Sequence, residues 1–293
     1  MTDTLERFLF ENRQIRGEIV TLESSFNSII KNKDYPEIVQ KLLGELVAAA
    51  SLLTATLKFK GEISLQIQSE GFVRYAVVNG THELDVKGVA KWDETLDSPP
   101  SNFKHCFKKG ILAITLTPEN GTRYQGMVSL DQDSLADCLE NYFLQSEQLL
   151  TTVVLATDLS NTPKAGGFLV QVIPTSSEAT NVANTPDYEH VSYLTRTIKS
   201  DELFAISHKE MIHRLFHEDD IRIFEPQMVN FKCDCSRERC AGALRNVNKS
   251  ELLSMVAEEG SIKMDCQFCH SVYDFDAIDI ENIHAQNLDS GSA

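Results

Sequence analysis

Two tight cysteine pairs, Cys233-Asp-Cys235 and Cys266-Gln-Phe-Cys269, stand about 30 residues apart near the end of a chain of 293 residues. Each pair can turn both of its sulfurs toward one point. The segment that holds them is too short to be stabilised by an apolar core alone, so what the sulfurs bind decides whether it folds. Zn²⁺ suits such a set: it is borderline-soft, redox-inert and tetrahedral, and it takes four thiolates at about 2.3 Å. The spacing therefore predicts one zinc ion held by Cys233, Cys235, Cys266 and Cys269. Two roles for it stay open from the residues alone. The ion is either a structural staple or one half of a switch, because zinc thiolates remain oxidisable and each pair is near enough in sequence to close a local disulfide if its turn brings the Cα atoms to about 5–6 Å.

Cys240 follows the first pair closely, in Cys235-Ser-Arg-Glu-Arg-Cys240, and reads as a spare thiol or an accessory one, since four sulfurs already fill a tetrahedral shell. His270 is a substitute ligand or a surface histidine. Arg237 and Arg239 either lower the nearby thiol pKa values or are ordinary solvated arginines. Cys106 and Cys138 have no partner motif and are expected as small buried hydrophobes. His213 and His217 are four apart, a metal-binding spacing on a helix, but lack the glutamate of the zinc-protease pattern and are expected at solvent or an interface. Two rivals use the same cysteines. One is a thiol–disulfide oxidoreductase working through the CxxC pair, although no thioredoxin-like βαβ pattern surrounds it. The other is a zinc-ribbon nucleic-acid module, supported only by Arg237, Arg239 and Arg245.

With 43 acidic against 27 basic residues the net charge is −16, which opposes binding to phosphate backbones and to anionic lipid. The longest soft apolar stretch, 47–57, is about half of the roughly 20 residues a bilayer requires, so no membrane partner is expected. The first residues are acidic where a secretory signal would be basic, and only seven cysteines occur, five of them between Cys233 and Cys269; both features point to the cytoplasm and to metal or redox chemistry rather than a disulfide scaffold. No GxxxxGK[ST], GxGxxG or GxSxG pattern is present, so ATP-driven or serine-nucleophile chemistry has no seat and no enzyme is expected.

The fold class predicted is α+β: a mixed or antiparallel sheet domain with helices over 1–174, a helical linker over 175–230, and a small four-cysteine zinc domain over 231–293. Strands are expected at 15–22, 63–67, 73–78, 111–116, 124–130 and 167–173 from their alternation and turn signals. Pro36 opens the strongest helix, over 36–58. After Pro174 the composition turns to Ser, Thr, Asn and Ala with little to bury. A helical patch follows at 200–217, with Ser207 and Glu210 at capping-box spacing and Met211, Ile212, Leu215 and Phe216 as an apolar stripe that needs a surface. A short helix at 250–259, ended by Gly260, and a hairpin built on Ile262, Met264, Val272, Tyr273 and Phe275 complete the tail.

These residues together resemble the 33-kilodalton redox-regulated heat-shock chaperone family. The CxC, long gap, CxxC order with Tyr273-Asp-Phe-Asp is specific to few families, and Arg214-Leu-Phe-His-Glu218, Arg222-Ile-Phe-Glu-Pro226, Tyr124 to Leu130, Ser146-Glu-Gln148 and Gly166 to Gln171 look like its blocks. The resemblance implies an ATP-independent holdase of the oxidative-stress response, inactive while reduced and zinc-bound and switched on when Cys233 bonds Cys235 and Cys266 bonds Cys269. It also implies unfolding proteins as clients, a homodimer on activation and a metastable linker. Cys240 has no role in that pattern.

Overall fold

The computed structural model describes residues 3–31, 33–57, 59–96, 98–173 and 186–289. Most of the expected Ser/Thr/Asn/Ala run, and Lys58 at the expected helix end, lie outside them. The chain divides into two compact units, Met1–Lys232 and Cys233–Ala293.

The first unit contains two sheets. One is built from β1 (Thr4–Phe10) and β2 (Ile15–Leu22). The other begins with β3 (Gly61–Gln68), β4 (Val73–Thr81), β5 (Asp85–Trp92), β6 (Ile111–Pro118) and β7 (Tyr124–Ser129). The chain then returns to the first sheet with β8 (Thr151–Asp158), β9 (Lys164–Val172), β10 (Ile221–Ile223) and β11 (Gln227–Met228), and adds β12 (Asn230–Phe231) to the second. The orders are β10-β1-β2-β9-β8, with β11 also on β1, and β12-β5-β4-β3-β6-β7. Among the described strands only β12, beside β5, pairs in parallel. The six strands expected from alternation are all present, most of them longer by a few residues. β1, β5 and β8 carry weaker alternation signals and are recognised only by their partners.

Helices α1 (Ser24–Ile30) and α2 (Glu37–Ala55) follow β2, and α3 (Leu135–Tyr142) follows β7. Pro36 sits at the N-cap of α2 rather than inside it. This helix touches β2, β8 and β9 of the first sheet and β3, β4 and β5 of the second. It is therefore buried between them, with Val39, Leu43, Leu46, Val47, Ala48 and Ala50 all at 0% exposure. Its polar residues are satisfied internally: Ser51 donates to the Val47 carbonyl at 2.8 Å and Thr54 to that of Ala50 at 2.6 Å. Among the described residues α2 is the one helix long and apolar enough to cross a membrane, and its burial between sheets accounts for that composition.

The first sheet is covered on both faces. Val20, Leu22, Val153 and Leu169 face the α2 core, while Phe8, Phe10, Ile15, Ile19, Phe168 and Val170 face a second core completed by α4 (Pro186–Thr195), α5 (Ser200–Ala205) and α6 (His208–Phe216). The helical patch expected at 200–217 is thus two helices, broken at Ile206, whose backbone is extended. Ser207 caps α6 by accepting from the Glu210 amide. Met211, Ile212 and Phe216 are buried as the stripe requires, with Phe216 stacked edge-on against Phe10 at 5.0 Å. Gly17 lies directly under Phe8: a Cβ there would meet the ring at 2.1 Å. Polar contacts interrupt this interface: buried His208 sets its Nε2 3.0 Å from the Thr21 hydroxyl, and the Thr152 hydroxyl lies 2.7 Å from that of Tyr188.

The second unit contains α7 (Arg237–Leu244), α8 (Lys249–Glu259), the hairpin β13 (Ile262–Asp265) and β14 (Val272–Phe275), and α9 (Ala277–Asp289). The sequence signalled α8 and the hairpin but not α7 or α9. Gly260 ends α8 at φ +84, donating its amide to the Val256 carbonyl at 2.8 Å. The core is small: Leu244, Leu252, Val256, Ile262, Phe275, Ile280 and Ile283 are the buried apolar residues, with Cys240 packed partly against them.

Candidate metal centre

Local turns bring each pair of sulfurs together. The first pair leads straight into α7, whose cap is Ser236, its hydroxyl accepting from the Arg239 amide at 3.2 Å. The second pair occupies the turn of the β13–β14 hairpin. There the Cys266 amide donates to the Ser271 carbonyl at 2.9 Å and the His270 amide to the Cys266 carbonyl at 2.7 Å. His270 takes φ +58 to close the turn, which explains a residue that otherwise touches nothing in the centre. Hairpin pairing of Asp265 with Val272 fixes the register.

The sulfurs of Cys233, Cys235, Cys266 and Cys269 all lie within 4.8 Å of one another. Four thiolates at about 2.3 Å from one ion form a tetrahedron with edges of about 3.8 Å. The donor set therefore fits zinc in number, type and spacing. All four are free thiols, half-buried. Close approaches run across the motifs, Cys233 to Cys266 at 3.5 Å and Cys235 to Cys269 at 3.3 Å. Among the described residues this is the one group of three or more metal-capable side chains gathered around a point.

Hydroxyls complete the surroundings. The Tyr273 phenol lies 3.2 Å from the Cys235 sulfur, and the Cys269 sulfur lies 3.2 Å from the Ser271 hydroxyl. Burial pushes the Cys233 and Cys266 thiols up. At Cys269 burial acts the same way, but the Ser271 hydroxyl and amide and the neighbouring thiols of Cys235 and Cys233 outweigh it and bring the thiol down to about 6. The hydrogen bond to Cys235 holds the Tyr273 phenol up at about 12. A dication here would favour deprotonation of all four thiols.

The remaining candidates lie elsewhere. Cys240 is on α7 and outside the four-sulfur group. The arginines have partners of their own: Arg237 bonds Asp279 at 2.6 Å and stacks on the Phe275 ring at 4.5 Å, while Arg239 pairs with Asp234. His213 and His217 are exposed on α6 with ring centroids 6.5 Å apart. Cys106 and Cys138 are buried, and burial pushes each thiol up to about 11. Sequence reasoning placed Tyr273 in a hairpin and in the family's C-terminal block, gave it no part in the centre, and passed over Ser271. Tyr273 is four residues beyond Cys269, the strand position that faces back over the turn once the register is known.

The Hsp33 protein family matches residues 3–276. The chain belongs to the Hsp33 family. Its relatives include the 33 kDa chaperonin of Pseudoalteromonas atlantica, 54% identical over 97% of this chain and 95% of its own. The 33 kDa chaperonin of Shewanella sediminis is 48% identical over 96% of this chain and 95% of its own. The crystal structure of the 33 kDa chaperonin of Thermotoga maritima superposes with a TM-score of 0.83, covering 98% of this chain and 99% of that one at 23% identity. That similarity shows that the α+β architecture is the Hsp33 fold. Membership places the chain in a chaperone family.

Proposed function

We propose that this Hsp33-family protein is an ATP-independent holdase of the cytoplasm, idle while reduced and zinc-bound and active once its four thiols are oxidised and the metal has left. The observation that carries the reading is the convergence of two sequence-distant sulfur pairs within 4.8 Å in a unit with seven buried apolar side chains. Cys233, Cys235, Cys266 and Cys269 would hold the ion. Bound zinc would supply a four-way thiolate crosslink and no redox chemistry.

Peroxide provides the oxidant. A thiolate attacks the O–O bond and releases hydroxide, and the resulting sulfenic acid is attacked by the second thiolate, which forms the disulfide and releases a second hydroxide. Two pairs consume two peroxides. Bonds between Cys233 and Cys235 and between Cys266 and Cys269 close only tiny loops and leave the two halves of the tail unconnected. Zinc binding in small finger peptides is worth about 10–16 kcal/mol, more than a core of this size supplies, so the tail unfolds.

Unfolding begins at Cys233, two residues beyond the short strand β12. The segment 175–230 acts as the linker. Its helices α4–α6 cover Phe8, Phe10 and Phe168 on the first sheet, and their loosening exposes an aromatic face that captures unfolding clients. A homodimer would double that surface, and the charge of −16 keeps the client complex in solution.

A thiol–disulfide oxidoreductase reading draws on the depressed Cys269 thiol. It predicts turnover of disulfide substrates by reduced protein. The deciding experiment counts zinc and free thiols before and after peroxide and follows aggregation of an unfolding protein without ATP. Zinc loss, thiol loss and aggregation suppression are expected together. Equal suppression by fully reduced, zinc-loaded protein refutes the switch.

A further inference from the structure

The two motifs do not offer their sulfurs the same hydrogen-bond donors. In the CxxC turn the amides of Phe268 and Cys269 face the Cys266 sulfur, and the hydroxyl and amide of Ser271 face Cys269. In the CxC turn the Cys235 amide faces Cys233. Beyond Cys235 the chain enters α7 at once, and the Arg239 amide goes to the Ser236 cap. Cys235 also has a hydroxyl from another element beside it: the Tyr273 phenol on β14, 3.2 Å from its sulfur. Met264 pairs with Tyr273 across the hairpin, and the ring packs against the small core, so its position is fixed by fold and not by the turn.

We propose that Tyr273 is the positioning residue that damps Cys235, its phenol reaching that sulfur from the facing strand of the hairpin. A hydrogen bond to a thiolate draws charge from the sulfur and lowers its nucleophilicity toward peroxide. Removing the donor makes Cys235 the sulfur that attacks first, with peroxide oxygen transferred to it and hydroxide released. Tyr273 thereby sets the oxidant threshold of the centre and the order in which its sulfurs react. This rests on the zinc-switch reading given above.

The test uses the reduced, zinc-loaded full chain. Tyr273→Phe keeps the ring and removes the donor. Zinc release under peroxide, followed with a metallochromic dye, is expected to accelerate about fivefold, the factor corresponding to one net hydrogen bond. Trapping of sulfenic acid with a carbon nucleophile, followed by peptide mapping, is expected to shift to Cys235. Tyr193→Phe, at a tyrosine 72% exposed, is the control and leaves both unchanged. A Tyr273→Phe rate within twofold of the unaltered protein, with unchanged trapping, overturns the proposal. If Tyr273→Phe does not retain zinc, 3-fluorotyrosine at position 273 decides: its more acidic phenol is a stronger donor, so release slows, and an equal or faster rate overturns the proposal. Failure of the underlying reading looks different, because the unaltered protein then carries no zinc when reduced or keeps it after peroxide.

Discussion

Which sulfurs become bonded decides whether oxidation unlocks the tail, and the reduced geometry makes this a sharp question. Sulfurs approach closely across the motifs, at 3.5 Å between Cys233 and Cys266 and 3.3 Å between Cys235 and Cys269, residues 33 and 34 positions apart. A disulfide closing a loop of that length restricts the unfolded chain by about 4 kcal/mol, whereas one within a pair closes three or four residues and restricts it by no more than about 2 kcal/mol. Crossed bonds would replace much of the tie that zinc provides; local bonds would not. Peroxide treatment followed by disulfide mapping is expected to give Cys233–Cys235 and Cys266–Cys269. Hydrogen exchange on the same sample is expected to show loss of protection across α7, α8 and the β13–β14 hairpin, to the level of an unfolded segment. The double variant Cys235→Ser, Cys269→Ser retains only Cys233 and Cys266 of the four and forms a crossed bond when oxidised. When oxidised it is expected to keep its tail about 2 kcal/mol more stable than Cys266→Ser, Cys269→Ser, which retains only the local pair Cys233 and Cys235. Crossed bonds in the unaltered protein, or local bonds with protection retained, would refute the reasoning.

Three other outcomes follow from the same contacts. Stripping zinc with a chelator under reducing conditions is expected to unfold the second unit, seen as loss of α7–α9 amide protection, while the α2 core of the first unit stays protected; a second unit unchanged without metal contradicts the staple. Phe216→Ala removes a fully buried ring from the interface between α6 and Phe8, Phe10 and Phe168, which costs about 3–5 kcal/mol, and binding of an apolar dye with zinc still bound is the expected readout. Glu18 is 2% exposed, and burial, opposed by Arg16 and Arg7, raises its carboxyl to about 7. A raised acid favours the folded state fully below its unfolded pKa of about 4.5, and that contribution is lost as pH rises through about 7. Denaturant melts of Glu18→Gln should accordingly show about 3 kcal/mol more stability than the unaltered chain at pH 8 and little difference at pH 4.

Much of the centre was legible because it is local. CxC and CxxC turns bring two sulfurs together through a few backbone torsions, and the alternation in β2 or β6 records on each strand which face is buried. Gly260 and Ser207 likewise mark helix ends by chemistry that acts over three or four residues. Less legible were α7, whose residues show no apolar stripe, and β1, β5 and β8, which are strands because of what pairs with them. The arginines beside the first pair were open to two readings, as modulators of the thiols or as solvated side chains; neither anticipates Asp279 and Phe275, some 40 residues on, which engage Arg237.

By itself the sequence determined the sulfur count, the two local pairs, the family and the alternation of most strands, since each is a property of neighbours along the chain. Tertiary structure alone decided which sulfurs of the two pairs face each other, that a phenol from the hairpin touches Cys235, that α2 is enclosed by two sheets, and that α4–α6 cover an aromatic face. Those contacts join residues far apart in sequence, and their geometry is set by packing and strand register, which no short window of residues encodes.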